Sequence, residues 1–168
     1  MKAAGVLVAI ALALALQTTL ARFIVRGTAA VDLVLVAVVY VALTTGPVTG
    51  MLSGSVAGLI QDALSSGVIG IGGLAKTVVG FLVGVIGQQF IMTAALPRLV
   101  MFIAATAVHA AVFMGLYMAL GVRIFPGSWQ AVAGQALGNA AVGIVAFAII
   151  EALPGIMERR RIGRRARH

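Results

Sequence analysis

The chain has 168 residues, 62% of them hydrophobic and only 10% charged, with a mean hydropathy of +1.16. A water-soluble domain is about 45–50% apolar and about 25% charged, so these charges are too few to cover a soluble core and most of the surface must face lipid. Cysteine is absent, which excludes a disulfide framework and a thiolate metal site. Of the twelve Lys and Arg, six (Arg159, Arg160, Arg161, Arg164, Arg165 and Arg167) lie in the last ten residues, leaving a body with six basic and four acidic groups. The +8 formal charge therefore describes a tail. Following an apolar span, such a tail fits the cytoplasmic side of a membrane and contact with anionic lipid. No aromatic residue interleaves the arginines, so nucleic acid is not an expected partner.

About 20 apolar residues rising 1.5 Å each cross a hydrocarbon core of about 30 Å. On that ruler the chain reads as an all-α integral membrane protein with about six transmembrane helices in one bundle. The first span is expected over 3–21, ending near Arg22, Arg26 and Gly27. Lys2 and the Ala/Leu run also resemble a signal peptide, but a chain that starts at Met1 favours a retained span. The apolar stretch from Val31 to Leu64 is interrupted by Thr44-Thr45-Gly46-Pro47, and proline suits the first position of a helix while disfavouring helix in the residue before it. Two spans are therefore predicted, 29–45 and 47–64, joined by a tight turn. A fourth follows over 71–91, a fifth over 97–120 starting at Pro97, and a sixth over 130–152 ended by Pro154-Gly155. Residues 1–155 thus form the membrane domain and 156–168 a basic tail. With both termini inside, Lys2, Arg98 and the six tail arginines face the cytoplasm, against Arg22, Arg26 and Arg123 outside, which favours that orientation.

Helices in lipid gain little from burying apolar surface against one another, so small residues that let backbones approach carry the packing signal. Gly46, Gly50, Gly54 and Gly58 recur every four residues along the third span, with Ser53 and Ala57 beside them; Gly80 and Gly84, and Gly134 and Gly138, repeat the pattern more weakly. These faces serve either the chain's own bundle or a partner's membrane helix. The third-span face is the expected partner site, with Gly54→Leu expected to abolish partner co-purification.

Ionisable groups inside a membrane are expensive and each is a candidate for function. Asp62 and Lys76, separated by a short Ser/Gly loop, are expected at comparable depth and could pair. At mid-depth lie His109 in the fifth span and Gln135 and Asn139, which share one face of the sixth, so that His109 and Asn139 fall at similar heights where those helices are neighbours. Interhelical hydrogen bonding is the simplest role for this set, because a lone His without acidic or thiol companions makes a poor metal site or general base. Asp32 is expected at a helix N-cap or in a surface pair near Arg22 and Arg26, and Glu151 and Glu158 beside the arginine tail. Gly70-Ile71-Gly72-Gly73 lacks the Gly-Lys-Ser/Thr ending of a phosphate loop and reads as a flexible turn. No Ser-His-Asp set, HExxH or carboxylate pair is evident, so neither a cofactor nor an enzymatic activity is expected.

The run Val31-Asp32-Leu33-Val34-Leu35-Val36 through Tyr40, then Gly46-Pro47-Val48-Thr49-Gly50-Met51-Leu52-Ser53-Gly54 and Ala57-Gly58-Leu59-Ile60-Gln61-Asp62, resembles the bacterial rod shape-determining MreD family. Residues 70–84, from Gly70-Ile71-Gly72-Gly73 to Gly84, resemble its fourth-helix region. The specific likeness covers residues 31–84, with Asp32, Gly46, Pro47, Gly50, Gly54, Gly58, Asp62 and Gly80 as matching positions. It implies a non-catalytic inner-membrane subunit of the cell-elongation machinery. Its implied partner is the single-span MreC scaffold and, through it, the actin-like MreB and the peptidoglycan glycosyltransferase and transpeptidase. It also implies a bundle similar to the six-helix substrate-binding subunits of energy-coupling-factor transporters. The alternative function is a vitamin-binding transporter subunit. Such a pocket calls for polar and aromatic lining, whereas aromatics are 6% here, with Trp129, Tyr40 and Tyr117 the only Trp and Tyr.

Overall fold

The computed structural model describes the backbone of residues 3–23, 31–65, 68–90, 94–121 and 129–165, with side chains described except at 20–23 and 153–165. Six helices follow in order: α1 (Ala3–Phe23), α2 (Leu33–Thr45), α3 (Pro47–Leu64), α4 (Ile71–Gln89), α5 (Ala95–Ala119) and α6 (Trp129–Arg165). They alternate in direction. Phe102 meets Gly143, and Thr106 meets Asn139, so α5 and α6 run antiparallel; the ladder Gly50 to Gly80, Gly54 to Lys76 and Gly58 to Gly73 makes α3 and α4 antiparallel.

The sequence of α2, LVLVAVVYVALTT, is apolar all round, the mark of a helix buried on most sides. It forms the axis of the bundle and touches each of the other five helices. Around it, α1 touches α3, α3 touches α4, α4 touches α5 and α5 touches α6, while among the described residues α1 and α6 do not touch. Two clusters fill the interior. Val6, Ile10 and Leu14 of α1 pack on Val34, Val38 and Val41 with Ala57. On the other flank Leu35, Val36, Val39 and Ala42 meet Val79, Val83, Phe102, Ala105, Ala140 and Phe147.

The expected turn between the second and third spans contracts to one residue. Gly46 links the helices at φ +94°, in the left-handed region where an L side chain is strained, and Pro47 takes the first position of α3. From there the glycines of α3 lie against α4. A Cβ on Gly50 would sit 2.5 Å from the Gly80 carbonyl oxygen, and one on Gly58 would sit 2.5 Å from the Gly73 Cα. At Gly54 it would strike the Lys76 backbone, and at Gly84 the Pro47 backbone. The face expected to be available to a partner is thus occupied by α4. Gly134 differs, since a Cβ there would meet nothing within 4 Å.

Several expected boundaries change. Among the described residues three helical segments are long and apolar enough to cross a membrane: Ile71–Gln89, Ala95–Ala119 and Trp129–Ala152. Ala3–Thr19 and Leu33–Thr45 are shorter apolar segments, and α3 falls in neither group. α2 begins at Leu33 because Asp32 caps it, and its 13 residues reach about 20 Å, less than a hydrocarbon core. α4 ends at Gln89, and α5 starts at Ala95, two residues ahead of Pro97, which its first turn accommodates. The sixth helix does not end at Pro154-Gly155 but continues to Arg165. Of Gly70-Ile71-Gly72-Gly73, only Gly70 lies in the turn before α4, at φ +102°; Gly72 and Gly73 are buried in its first turn.

Candidate functional site

The start of α2 gathers polar groups from every helix. Asp32 has extended backbone, and its Oδ1 accepts from the Leu35 amide at 2.9 Å, an N-cap that fixes the carboxylate at the helix end. Because α2 and α4 run parallel, that end lies level with the second turn of α4. Lys76 Nζ pairs there with Asp32 Oδ2 at 2.8 Å, both side chains at most 7% exposed. The pairing expected between Lys76 and Asp62 does not form. Asp62 Oδ2 instead accepts from the amides of Gly70 (2.9 Å) and Gly73 (3.0 Å), satisfying donors at the start of α4. Asp32 is an N-cap as expected, but it is buried in the bundle rather than placed in a surface pair; Arg22 and Arg26 lie outside the described side chains.

Four more helices complete the junction. His109 Nε2 of α5 lies 3.3 Å from Lys76 Nζ. An ammonium has only donors, so Nε2 accepts and the ring proton sits on Nδ1. Asn139 of α6 accepts from the Asp32 amide at 2.8 Å and donates to Thr106 Oγ1 at 3.0 Å; Thr106 in turn donates to the Phe102 carbonyl at 2.8 Å. Gln61 of α3 donates to Asp32 Oδ1 at 3.5 Å, and its own Oε1 is buried without a partner among the described residues. Gln17 of α1 accepts from the Leu33 amide at 2.8 Å and donates to the Val31 carbonyl at 3.3 Å.

The expected polar set is thus partly assembled. Lys76, His109 and Asn139 come together with Asp32, although His109 and Asn139 do not bond each other. Asp62 stays at the α3–α4 turn. Gln135, one turn from Asn139, shows no hydrogen bond among the described residues. Gln17, Gln61 and Thr106 were not singled out from the sequence. A usable signal existed for Thr106, which lies three residues from His109 on the same face, and for Gln17 as an amide within an apolar run. Glu151, expected beside the arginine tail, pairs with Arg98, whose guanidinium also lies 4.3 Å over the Phe147 ring. Glu158 and the tail arginines lie outside the described side chains. From the junction an aromatic stack continues along α5, His109 to Phe113 at 5.8 Å and Phe113 to Tyr117 at 4.8 Å.

An isolated ion in a low-dielectric interior is strongly disfavoured, whereas an ion pair with its remaining hydrogen bonds satisfied can persist there. Here every partner of Asp32 and Lys76 belongs to the bundle, and the partners come from α2, α3, α4, α5 and α6. The arrangement holds helices in register; among the described residues no group of three metal-ligating side chains occurs.

These features define a multi-pass helical membrane protein whose buried polar groups are spent on joining its own helices. The chain belongs to the MreD family: the family model, rod shape-determining protein MreD, matches residues 2–154. Membership gives it a role in rod-shape determination. No curated protein and no solved structure matches the chain, so the implied likeness to energy-coupling-factor subunits gains no support from a known structure.

Proposed function

We propose that the chain is a non-catalytic scaffold subunit of the cell-elongation machinery in the bacterial inner membrane, binding an MreC-like single-span protein through helix faces. Through that partner it connects to the actin-like MreB and to the peptidoglycan glycosyltransferase and transpeptidase. The observation that carries this reading is the family match over residues 2–154. The junction supports it, since its ionisable side chains bond to one another and to backbone rather than lining a reaction centre. Both termini face the cytoplasm in this proposal, because the even number of alternating helices returns the chain to one side and the arginine tail marks that side. The tail arginines meet anionic headgroups there.

The test is replacement in a rod-shaped bacterium depleted of its own MreD. The proposal expects this chain to restore rod form and to co-purify with that bacterium's MreC. Round cells despite normal membrane insertion would contradict it.

A further inference from the structure

The head of α2 sets a common height in the bundle. Asn139 of α6 bonds both the Asp32 amide and Thr106 of α5, and Gln61 of α3 reaches the Asp32 carboxylate, so residues 32, 61, 106 and 139 lie at one level. Toward the arginine tail the helices end together: Thr45 of α2 lies about 20 Å from that level, Pro47 of α3 about 21 Å and Glu151 of α6 about 18 Å. On the opposite face they do not. Trp129 of α6 stands about 15 Å above the level and Tyr117 of α5 about 16 Å, whereas α3 ends at Leu64, about 5 Å above it. Each flank also carries a marker of where hydrocarbon stops. Trp129, 79% exposed, and Tyr117 are amphipathic rings of the kind that sit among headgroups. On the α3–α4 flank the marker is polar: Gln61 and Asp62 are half-buried, Ser65 is exposed, and the non-helical backbone of 68–70 carries exposed Val68 and Ile69. Ionised groups and irregular backbone that face lipid are not stable inside hydrocarbon. Asp62 ties Gly70 and Gly73 to the end of α3, which holds this turn at its low height.

From these two heights we infer that the α3–α4 flank thins the membrane. On the face opposite the arginine tail, headgroups and water descend to Asp62 and Ser65, about 10 Å lower than beside α5 and α6. Tilting the bundle does not remove the step. The tail-side ends are already level, so a tilt only transfers part of the step to that face. The surface that fits this flank is therefore bilayer phospholipid drawn to a short hydrocarbon reach, a deformation that helices shorter than the hydrocarbon core impose on the lipid around them. The inference goes beyond the scaffold reading and holds for the chain without any protein partner.

The chain contains no cysteine, so single-cysteine variants at lipid-facing positions report depth. Leu64 of α3 is 62% exposed, and Leu52, 56% exposed, lies about three turns deeper on the same helix. Ala111 of α5 is exposed about 8 Å above the common level, no lower than Leu64. Each variant is reconstituted in dioleoylphosphatidylcholine nanodiscs and treated with a membrane-impermeant maleimide, which reaches both faces of the disc. Leu64→Cys is expected to be labelled, while Leu52→Cys and Ala111→Cys stay protected until detergent dissolves the disc. Labelling of both Leu64→Cys and Ala111→Cys, of neither, or of Ala111→Cys alone overturns the inference, because the bilayer then does not dip at the α3–α4 flank. Labelling of Leu52→Cys reveals a water-filled crevice in place of a thinned leaflet and overturns it too. The unsubstituted protein supplies a second measurement through Trp129, its single tryptophan. Lipids brominated near the headgroup should quench Trp129 more strongly than lipids brominated near the chain end; the reverse order removes the high marker and with it the inference.

Discussion

The α3–α4 and α5–α6 hairpins are both antiparallel pairs, yet they are joined by different chemistry. Between α3 and α4 the middle of the contact is backbone: glycine faces glycine, and backbone atoms occupy the space where a Cβ would stand, with the Ser55–Thr77 hydroxyl pair at 2.7 Å beside it. Between α5 and α6 the contact is built from large and polar groups, with the Phe102 ring seated over Gly143 and the Thr106–Asn139 hydrogen bond beside it. The contrast shows two ways of holding helices where lipid removes the hydrophobic drive between them: close backbone approach, and polar groups that have no better partner. The first tolerates no added atom. The second tolerates change in proportion to the hydrogen bonds lost.

The largest effect is therefore expected on the glycine side. Gly54→Leu should leave no folded bundle, because the new side chain meets the Lys76 backbone rather than a movable side chain; a sharp size-exclusion peak and a cooperative melt for this variant would break the comparison. Next comes Lys76→Met. It strands the Asp32 carboxylate in the interior and should cost about 3–5 kcal/mol, the range for removing one partner of a buried pair, read as unfolding in mixed micelles. Asn139→Ala is milder, at about 1–2 kcal/mol for two lost hydrogen bonds, and a loss as large as that of Gly54→Leu would show that the polar side is no more tolerant than the glycine side. The smallest effect belongs to Gly134→Leu, expected within about 0.5 kcal/mol, since nothing lies within 4 Å of its Cβ position. Equal losses from Gly54→Leu and Gly134→Leu would erase the distinction between a filled glycine face and an open one.

Much of this bundle is written locally. Pro47 after Gly46 sets the start of α3, and the four-residue glycine spacing sets its packing face. The end of α6 is not legible in this way, because Pro154-Gly155 weakens helix locally without ending it here. Partner choice at the junction was harder still. Asp62 is the acidic residue nearest Lys76 in sequence, but its carboxylate is committed to the Gly70 and Gly73 amides, and Lys76 lies about one turn deeper along α4. Asp32 reaches Lys76 only because α2 is short, parallel to α4 and central, properties set by the packing of all six helices rather than by any local pattern. The same reasoning separates Gly54 from Gly134, two glycines of similar local sequence whose surroundings differ only in the folded bundle.

The central claim is that Lys76 spends its charge on Asp32 at the head of α2. Two double-mutant cycles test it, Asp32→Asn with Lys76→Met and Asp62→Asn with Lys76→Met, measured as unfolding free energies in mixed micelles. A coupling energy above about 1.5 kcal/mol is expected for the first cycle and below about 0.5 kcal/mol for the second. Strong coupling between Asp62 and Lys76, with none between Asp32 and Lys76, would contradict it.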